Sequence, residues 1–180
     1  MNSPTRNKKK GLLIYQIVVF AFLGVLMLCS KLIMELLPNI HLLGLFIVCF
    51  TVVYRIKALF PIYIYVFLQG VISGFAPWWV PYLYVWTVLW AVTMLLPKNM
   101  SRKACAVVYP ILCALHGLLF GVLYAPGQAL VFGLNFEQTI AWILKGLSFD
   151  LLHCAGDLFA GLLILPLVEL LRKLDKTFKK

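Results

Sequence analysis

Apolar residues run along this 180-residue chain in long blocks, separated by short connections that carry proline or a group of lysines and arginines. Blocks of this length and polarity predict helices that cross a membrane. The first runs from about Leu12 to Leu37 and is ended by Pro38. The second, Ile40 to Tyr54, is short for a bilayer, and snorkelling by Arg55 and Lys57 is expected to extend it. The third covers Ala58 to Phe75 and the fourth Trp79 to Leu96, bounded by Pro77, Pro81 and Pro97. The fifth runs from Ala104 to Tyr124 and is expected to stop at Ala125-Pro126-Gly127; the sixth runs from Ser148 to Leu171. Between the last two, Phe132, Phe136, Ile140, Ile143 and Leu147 recur at helical spacing, with Glu137, Gln138, Ala141 and Lys145 off that stripe. That pattern predicts an interfacial helix over residues 128–147, lying on the outer surface or covering a cavity. The expected fold class is therefore an all-α membrane protein with six transmembrane helices in a single domain.

Charge orients these spans. Of the 16 Lys and Arg, all but Lys31 and Lys145 fall on every second connection. This is the positive-inside pattern; it predicts both termini in the cytoplasm and argues against a seventh span, which would put the basic C-terminal tail outside. Composition agrees: 63% hydrophobic and 12% charged residues do not fit a soluble domain of this size. The net charge of +10 sits on membrane-flanking segments, so anionic lipid headgroups rather than nucleic acid are the expected partner. The apolar run from Gly11 to Ser30 is long for a signal peptide and is read as the first span. Cys29, Cys49, Cys105, Cys113 and Cys154 lie mostly inside apolar runs without paired spacing, and read as small hydrophobes.

Candidate chemistry concentrates at the start of the sixth span. Asp150, His153 and Asp157 follow an i, i+3, i+7 spacing that puts them on one helix face. Ser148 is a candidate N-cap, which would place Asp150 in the first turn beside the helix dipole. His153 reads equally as a hydrogen-bonded core histidine or a functional one. Asp157, about 14 Å beyond that cap, falls near mid-membrane, where a charge costs on the order of 2.5–3.5 kcal/mol. Such a group is expected to face a polar cavity. Lys31 and Glu35 are spaced for an i,i+4 pair; Glu35 with Asn39 and His41 would also suit the mouth of a pocket. The segment Ala76–Trp86 holds three of the five tryptophans, and Trp78, Trp79 and Tyr82 read either as an interfacial aromatic belt or as a rigid lid over a flat ligand. Gly70/Gly74, Gly117/Gly121 and Gly156/Ala160 are small-residue pairs that allow close helix contact. There is no Walker A, HExxH, Gly-x-Ser-x-Gly or CxxC motif, and His116 with Cys113 does not by itself make a metal site.

Six short spans, cytoplasmic termini and an aromatic outer rim resemble the substrate-binding S components of energy-coupling factor (ECF) vitamin transporters. The sixth span carries the most specific part of the likeness: Gly146, Phe149-Asp150 and His153 match a recurrent Gly, Phe-Asp, His, Asn pattern. Asp157 stands where that pattern has Asn, and Leu147-Ser148 replaces a frequent Ile-Pro. On the first helix, Ala21 followed by Val25 departs from the family's Ala-x-x-x-Ala contact motif. The resemblance implies a passive subunit in a prokaryotic-type cell membrane that binds a vitamin or similar micronutrient from outside. Its partners would be a transmembrane coupling protein and two cytoplasmic ATPases, whose ATP hydrolysis topples the subunit to release the ligand inside. No cofactor is implied. Glu35, Asn39, His41, Trp78, Trp79, Tyr82, Asp150, His153 and Asp157 would line the cavity and suit a flat, cationic ring. Two other readings stay open: a small intramembrane enzyme using Asp150, His153 and Asp157, and an assembly subunit of a larger membrane complex.

Overall fold

The computed structural model describes residues 4–37 and 40–178, which are all helix, turn and connecting loop, with no strand. Eight helices follow in order: α1 (Pro4–Met34), α2 (Leu43–Tyr54), α3 (Leu59–Ser73), α4 (Tyr82–Leu95), α5 (Arg102–Leu118), α6 (Phe120–Phe132), α7 (Phe136–Gly161) and α8 (Ile164–Phe178). Four runs are long and apolar enough to cross a membrane: Leu13–Met34, Leu43–Ser73, Pro77–Leu95 and Arg102–Phe132; the bent pair Phe136–Gly161 with Ile164–Lys176 is a fifth when taken as one span. Large apolar side chains lie bare on the outside, among them Leu36 at 88% and Leu95 at 83% exposure. Exposure on that scale suits a hydrocarbon solvent rather than water.

The bundle is built around α2. Leu43, Leu45, Ile47, Val48, Cys49, Phe50 and Thr51 are all buried, so this helix is apolar around its whole circumference and surrounded by protein. Its 12 residues make about 18 Å of helix. Arg55 follows it with φ 56° and ψ −125°, a combination rare outside glycine and typical of the first central position of a type II′ turn. The chain turns back there. Lys57 Nζ donates to Gln16 Oε1 at 3.0 Å and Gly24 faces Pro61 and Ile64, so α3 runs beside α1 in the same direction. Tyr54, at the end of α2, packs edge-on against Phe20 of α1 at 5.3 Å, so α2 runs the opposite way. Helix α4 touches both: the Tyr63 hydroxyl donates to Leu83 O at 2.9 Å, and Arg55 Nη2 donates to Met94 O at 2.8 Å. Arg55 therefore caps the end of α4 rather than snorkelling outward.

The second half departs from the sequence expectation at three points. The helix does not stop at Ala125-Pro126-Gly127 but continues to Phe132, after a break at Leu119. Pro126 removes one backbone donor. The Tyr84 hydroxyl repairs the ladder beside it, donating to Leu123 O at 2.9 Å and accepting from Gly127 N–H at 3.0 Å. Gly133, at φ +63°, then ends α6 in the left-handed conformation that glycine adopts without penalty. There is no separate interfacial helix. Asn135 and Gln138 form a capping box that starts α7, and the helical stripe from Phe136 onward runs unbroken through Asp150, His153 and Asp157 to Gly161. Ser148 is thus an interior residue, not an N-cap. The expected sixth span is itself bent: α7 and α8 meet at 48°. Pro166 accounts for the bend, since its ring displaces and leaves unpaired the carbonyl four residues earlier, at Leu162. Helix α8 then packs on α2 and α5, with Arg102 Nε 3.0 Å from Glu169 Oε1. Of the cysteines, Cys49, Cys105 and Cys113 are buried as expected, but Cys29 is exposed.

Helix α7 lies so close to α5 that a Cβ added at Gly161 would sit 2.6 Å from Pro110 Cα. Gly161→Ala is expected to cost about 1–3 kcal/mol and to lower the thermal midpoint in detergent. Gly146→Ala, where nothing lies within 4 Å, is expected to hold or raise it through better helix propensity. Equal effects of the two would contradict this packing.

Candidate functional site

Two glycines seat two carboxylates where α7 crosses α5 and α6. Gly121 N–H donates to Asp150 Oδ1 at 3.0 Å, and a Cβ at Gly121 would fall 2.3 Å from Asp150 Oδ2. One turn earlier, a Cβ at Gly117 would fall 2.9 Å from Asp157 Oδ2, and one at Gly44 of α2 would fall 3.3 Å from the same carboxylate. The Gly117/Gly121 pair does more than let backbones approach, because it makes the notches that admit the acids. Both carboxylates are buried, Asp150 at 4% and Asp157 at 2% exposure.

Above Asp157 the chain connecting α1 to α2 brings in His41, whose Nδ1 lies 3.9 Å from Asp157 Oδ1. Burial, followed by the positive fields of His153, Lys31 and His116, pushes His41 from 6.5 down to about 3. The ring is neutral at physiological pH, so the approach to Asp157 is not an ion pair. The rings of His41 and His153 are 5.0 Å apart, and Phe120 lies 5.1 Å from His153. Nδ1 of each histidine is buried without a hydrogen-bond partner. His116 lies deeper, its Nε2 3.2 Å from Val85 O.

His41, His153 and Phe120 form one wall of a cavity of about 350 Å³, lined also by Lys31, Met34, Glu35, Leu37, Ile40, Tyr82 and Tyr124. Lys31 and Glu35 meet at its mouth, 3.3 Å apart. Tyr82 and Tyr124 stand edge to face at 6.3 Å, and Tyr124 stacks outward on Trp142 at 5.9 Å. A larger groove of about 650 Å³ along α3 is lined by apolar and aromatic side chains such as Ile56, Phe60 and Phe67; it lacks the convergent polar groups that orient a small molecule.

Of the sequence candidates, Glu35, His41, Tyr82 and His153 line the cavity together, and Asp157 supports His41 from below. Asp150 is directed to Gly121 instead. The tryptophan pair diverges. Trp79 Nε1 donates to Val66 O at 2.8 Å and its ring meets Phe75, whereas Trp78 packs edge-on against Tyr82 at 5.4 Å and its carbonyl accepts from the Tyr124 hydroxyl. Neither indole lines the cavity. Asn39 lies outside the described residues. Phe120 and Tyr124 are cavity residues that the sequence reading missed; they sit four apart, one turn of α6, and only their facing Tyr82 and His153 distinguishes them from ordinary span aromatics. Lys31 joins the cavity, while Lys145 is exposed elsewhere. Among the described residues no group of three or more His, Cys, Asp or Glu is placed to hold a metal ion.

Among the described residues the fold and site define an all-helical protein with several membrane-compatible helices and a polar, aromatic-walled cavity. Comparison with protein-family models, with curated proteins and with solved structures gives no match.

The neutral state of His41 generates a pH dependence. In the unfolded chain His41 takes up a proton near 6.5, whereas in the fold it stays neutral until about 3. Below pH 6.5 the unfolded state therefore binds more protons at His41, and the contribution of that residue to stability falls. Measured relative to His41→Gln, the thermal midpoint of the chain is expected to be constant above pH 7 and to drop as pH falls from 6.5 towards 4. An identical pH profile for that variant would refute the assignment.

Proposed function

We propose that the chain is the membrane-embedded substrate-capture subunit of an ATP-driven ECF importer, binding a vitamin or similar small micronutrient from outside. The observation that carries this reading is the 350 Å³ cavity, in which a mouth ion pair, Lys31–Glu35, leads to two unpartnered histidine nitrogens between aromatic walls. Its size, at the low end of small-molecule sites, suits a molecule of one or two rings. Aromatic faces would hold such rings by stacking and, for a cationic ring, by cation–π attraction.

In this reading the chain crosses the cell membrane six times with both termini in the cytoplasm. The reversal at Arg55 supports separate crossings for α2 and α3. The basic connections also converge at one end of the bundle, where Arg55, Lys98 and Arg172 line a common pocket, and the cavity lies towards the other end. The sequence carries no Walker A motif, and in this reading transport draws on a transmembrane coupling protein and two cytoplasmic ATPases. The site holds no evident nucleophile or relay, which favours binding over the enzymatic reading of the same residues.

The test is titration of the purified chain with a panel of vitamins, read by tryptophan fluorescence and calorimetry. One compound is expected to bind at one site per chain, with His153→Ala and Asp157→Ala weakening it at least about 10-fold, the loss of one charge-assisted or buried hydrogen bond. Unchanged affinity in correctly folded variants would remove the site assignment, and no binding across the panel together with no co-purifying ATPase would remove the function.

A further inference from the structure

Three cations meet at the basic end of the bundle without a carboxylate among them. Arg55 follows α2, Lys98 follows α4 and Arg172 belongs to α8, yet all three line one pocket of about 240 Å³, with Tyr109 of α5 and the apolar side chains of Val52 and Leu96. Among the described residues Lys31 lies against Glu35 and Arg102 against Glu169. Of the two carboxylates one turn from Arg172, Glu169 is engaged by Arg102 and Asp175 lines a different pocket, with Tyr54 and Lys57. Like charges gathered near a membrane repel one another strongly unless an anion is shared between them.

The fold holds Arg55 in place at a cost. Its φ of 56° is a sparsely populated conformation for a residue with a Cβ, of a kind that persists where surrounding contacts over-determine it. Those contacts are Trp90 Nε1 donating to Arg55 O at 3.2 Å and Arg55 Nη2 donating to Met94 O at 2.8 Å. A guanidinium so fixed keeps further N–H donors for a planar or tetrahedral oxyanion. The pocket is also half apolar, and Val92 and Leu95 of α4 lie bare at 41% and 83% exposure on the neighbouring helix. A free ion has no use for that surface, whereas an acyl chain does.

We infer that the pocket of Arg55, Lys98 and Arg172 is a binding site for the phosphate of an anionic phospholipid, seated in the leaflet at the basic end of the bundle. The phosphate oxygens take the three cations and the Tyr109 hydroxyl, and one acyl chain descends along α4. Basic pockets between helices at this depth are the sites where anionic headgroups bind. Inorganic phosphate offers the same oxygens without the chain.

Native mass spectrometry of the full chain, delipidated in neutral detergent, tests the site with phosphatidylglycerol, with phosphatidylcholine of the same acyl chains, and with inorganic phosphate. One phosphatidylglycerol per chain is expected, bound about 10-fold more tightly than phosphatidylcholine. The double variant Lys98→Gln/Arg172→Gln is expected to lose about 10-fold in that affinity, while Lys103→Gln/Lys176→Gln, the same change of charge outside the pocket, keeps it. Thermal unfolding of both variants without lipid checks that each is folded. Equal loss in the two double variants, or no preference over phosphatidylcholine, would overturn the site. Inorganic phosphate binding as tightly as the lipid would overturn the lipid assignment.

Discussion

Two aspartates of α7 are seated in glycine notches on the α5–α6 run, and the rest of the cavity end depends on that seating. A carboxylate brought into a low-dielectric interior is costly unless donors or complementary space receive it. Gly121 supplies a backbone donor to Asp150, and Gly117 with Gly44 leaves room for Asp157. Because the acids lie two turns apart on α7 and the glycines one turn apart on the opposing helices, the pair fixes both the depth and the rotation of α7. His153, between them, is thereby turned towards His41 and Phe120. A larger residue in either notch would displace the acid and the histidine together.

A second device keeps the opposite wall in place. Proline within α6 would ordinarily end or kink the helix, but the Tyr84 hydroxyl bridges Leu123 O and Gly127 N–H. A side chain of α4 thus completes the backbone bonding of α6, as apolar surroundings demand for every freed polar group. It also ties the two helices that supply Tyr82, Phe120 and Tyr124. The cavity is therefore framed on this side by side-chain-to-backbone bonds between helices and on the other by the α1–α2 connection that brings in His41.

Much of this was legible in the sequence, for identifiable reasons. Apolar run lengths located the helices, and the i, i+3, i+7 spacing put Asp150, His153 and Asp157 on one face. What failed was punctuation. Ala125-Pro126-Gly127 reads as a stop in isolation, and the hydroxyl that overrides it lies about forty residues away in the chain. Ser148 reads as a cap only if the helix begins there, whereas the stronger start is the Asn135–Gln138 box, which the expected interfacial segment concealed. The paired tryptophans looked like one unit, but adjacent residues on a short helical turn point apart, and Trp79 was claimed by Val66 O. Phe120 and Tyr124 joined the site through tertiary placement alone. The likeness to ECF S components rests on topology and the residues of α7; the absence of any family, protein or structural match leaves those residues and the cavity to support it.

In the proposed reading the cavity beside His41 and His153 captures a small molecule from outside the cell. The most direct measurement is to purify the chain from its native membrane without exogenous ligand and identify by mass spectrometry what remains bound. The account predicts one compound of one or two rings, at one per chain, released by His153→Ala while the variant stays folded. A preparation with no bound small molecule that gains none on exposure to the cell's growth medium would contradict it.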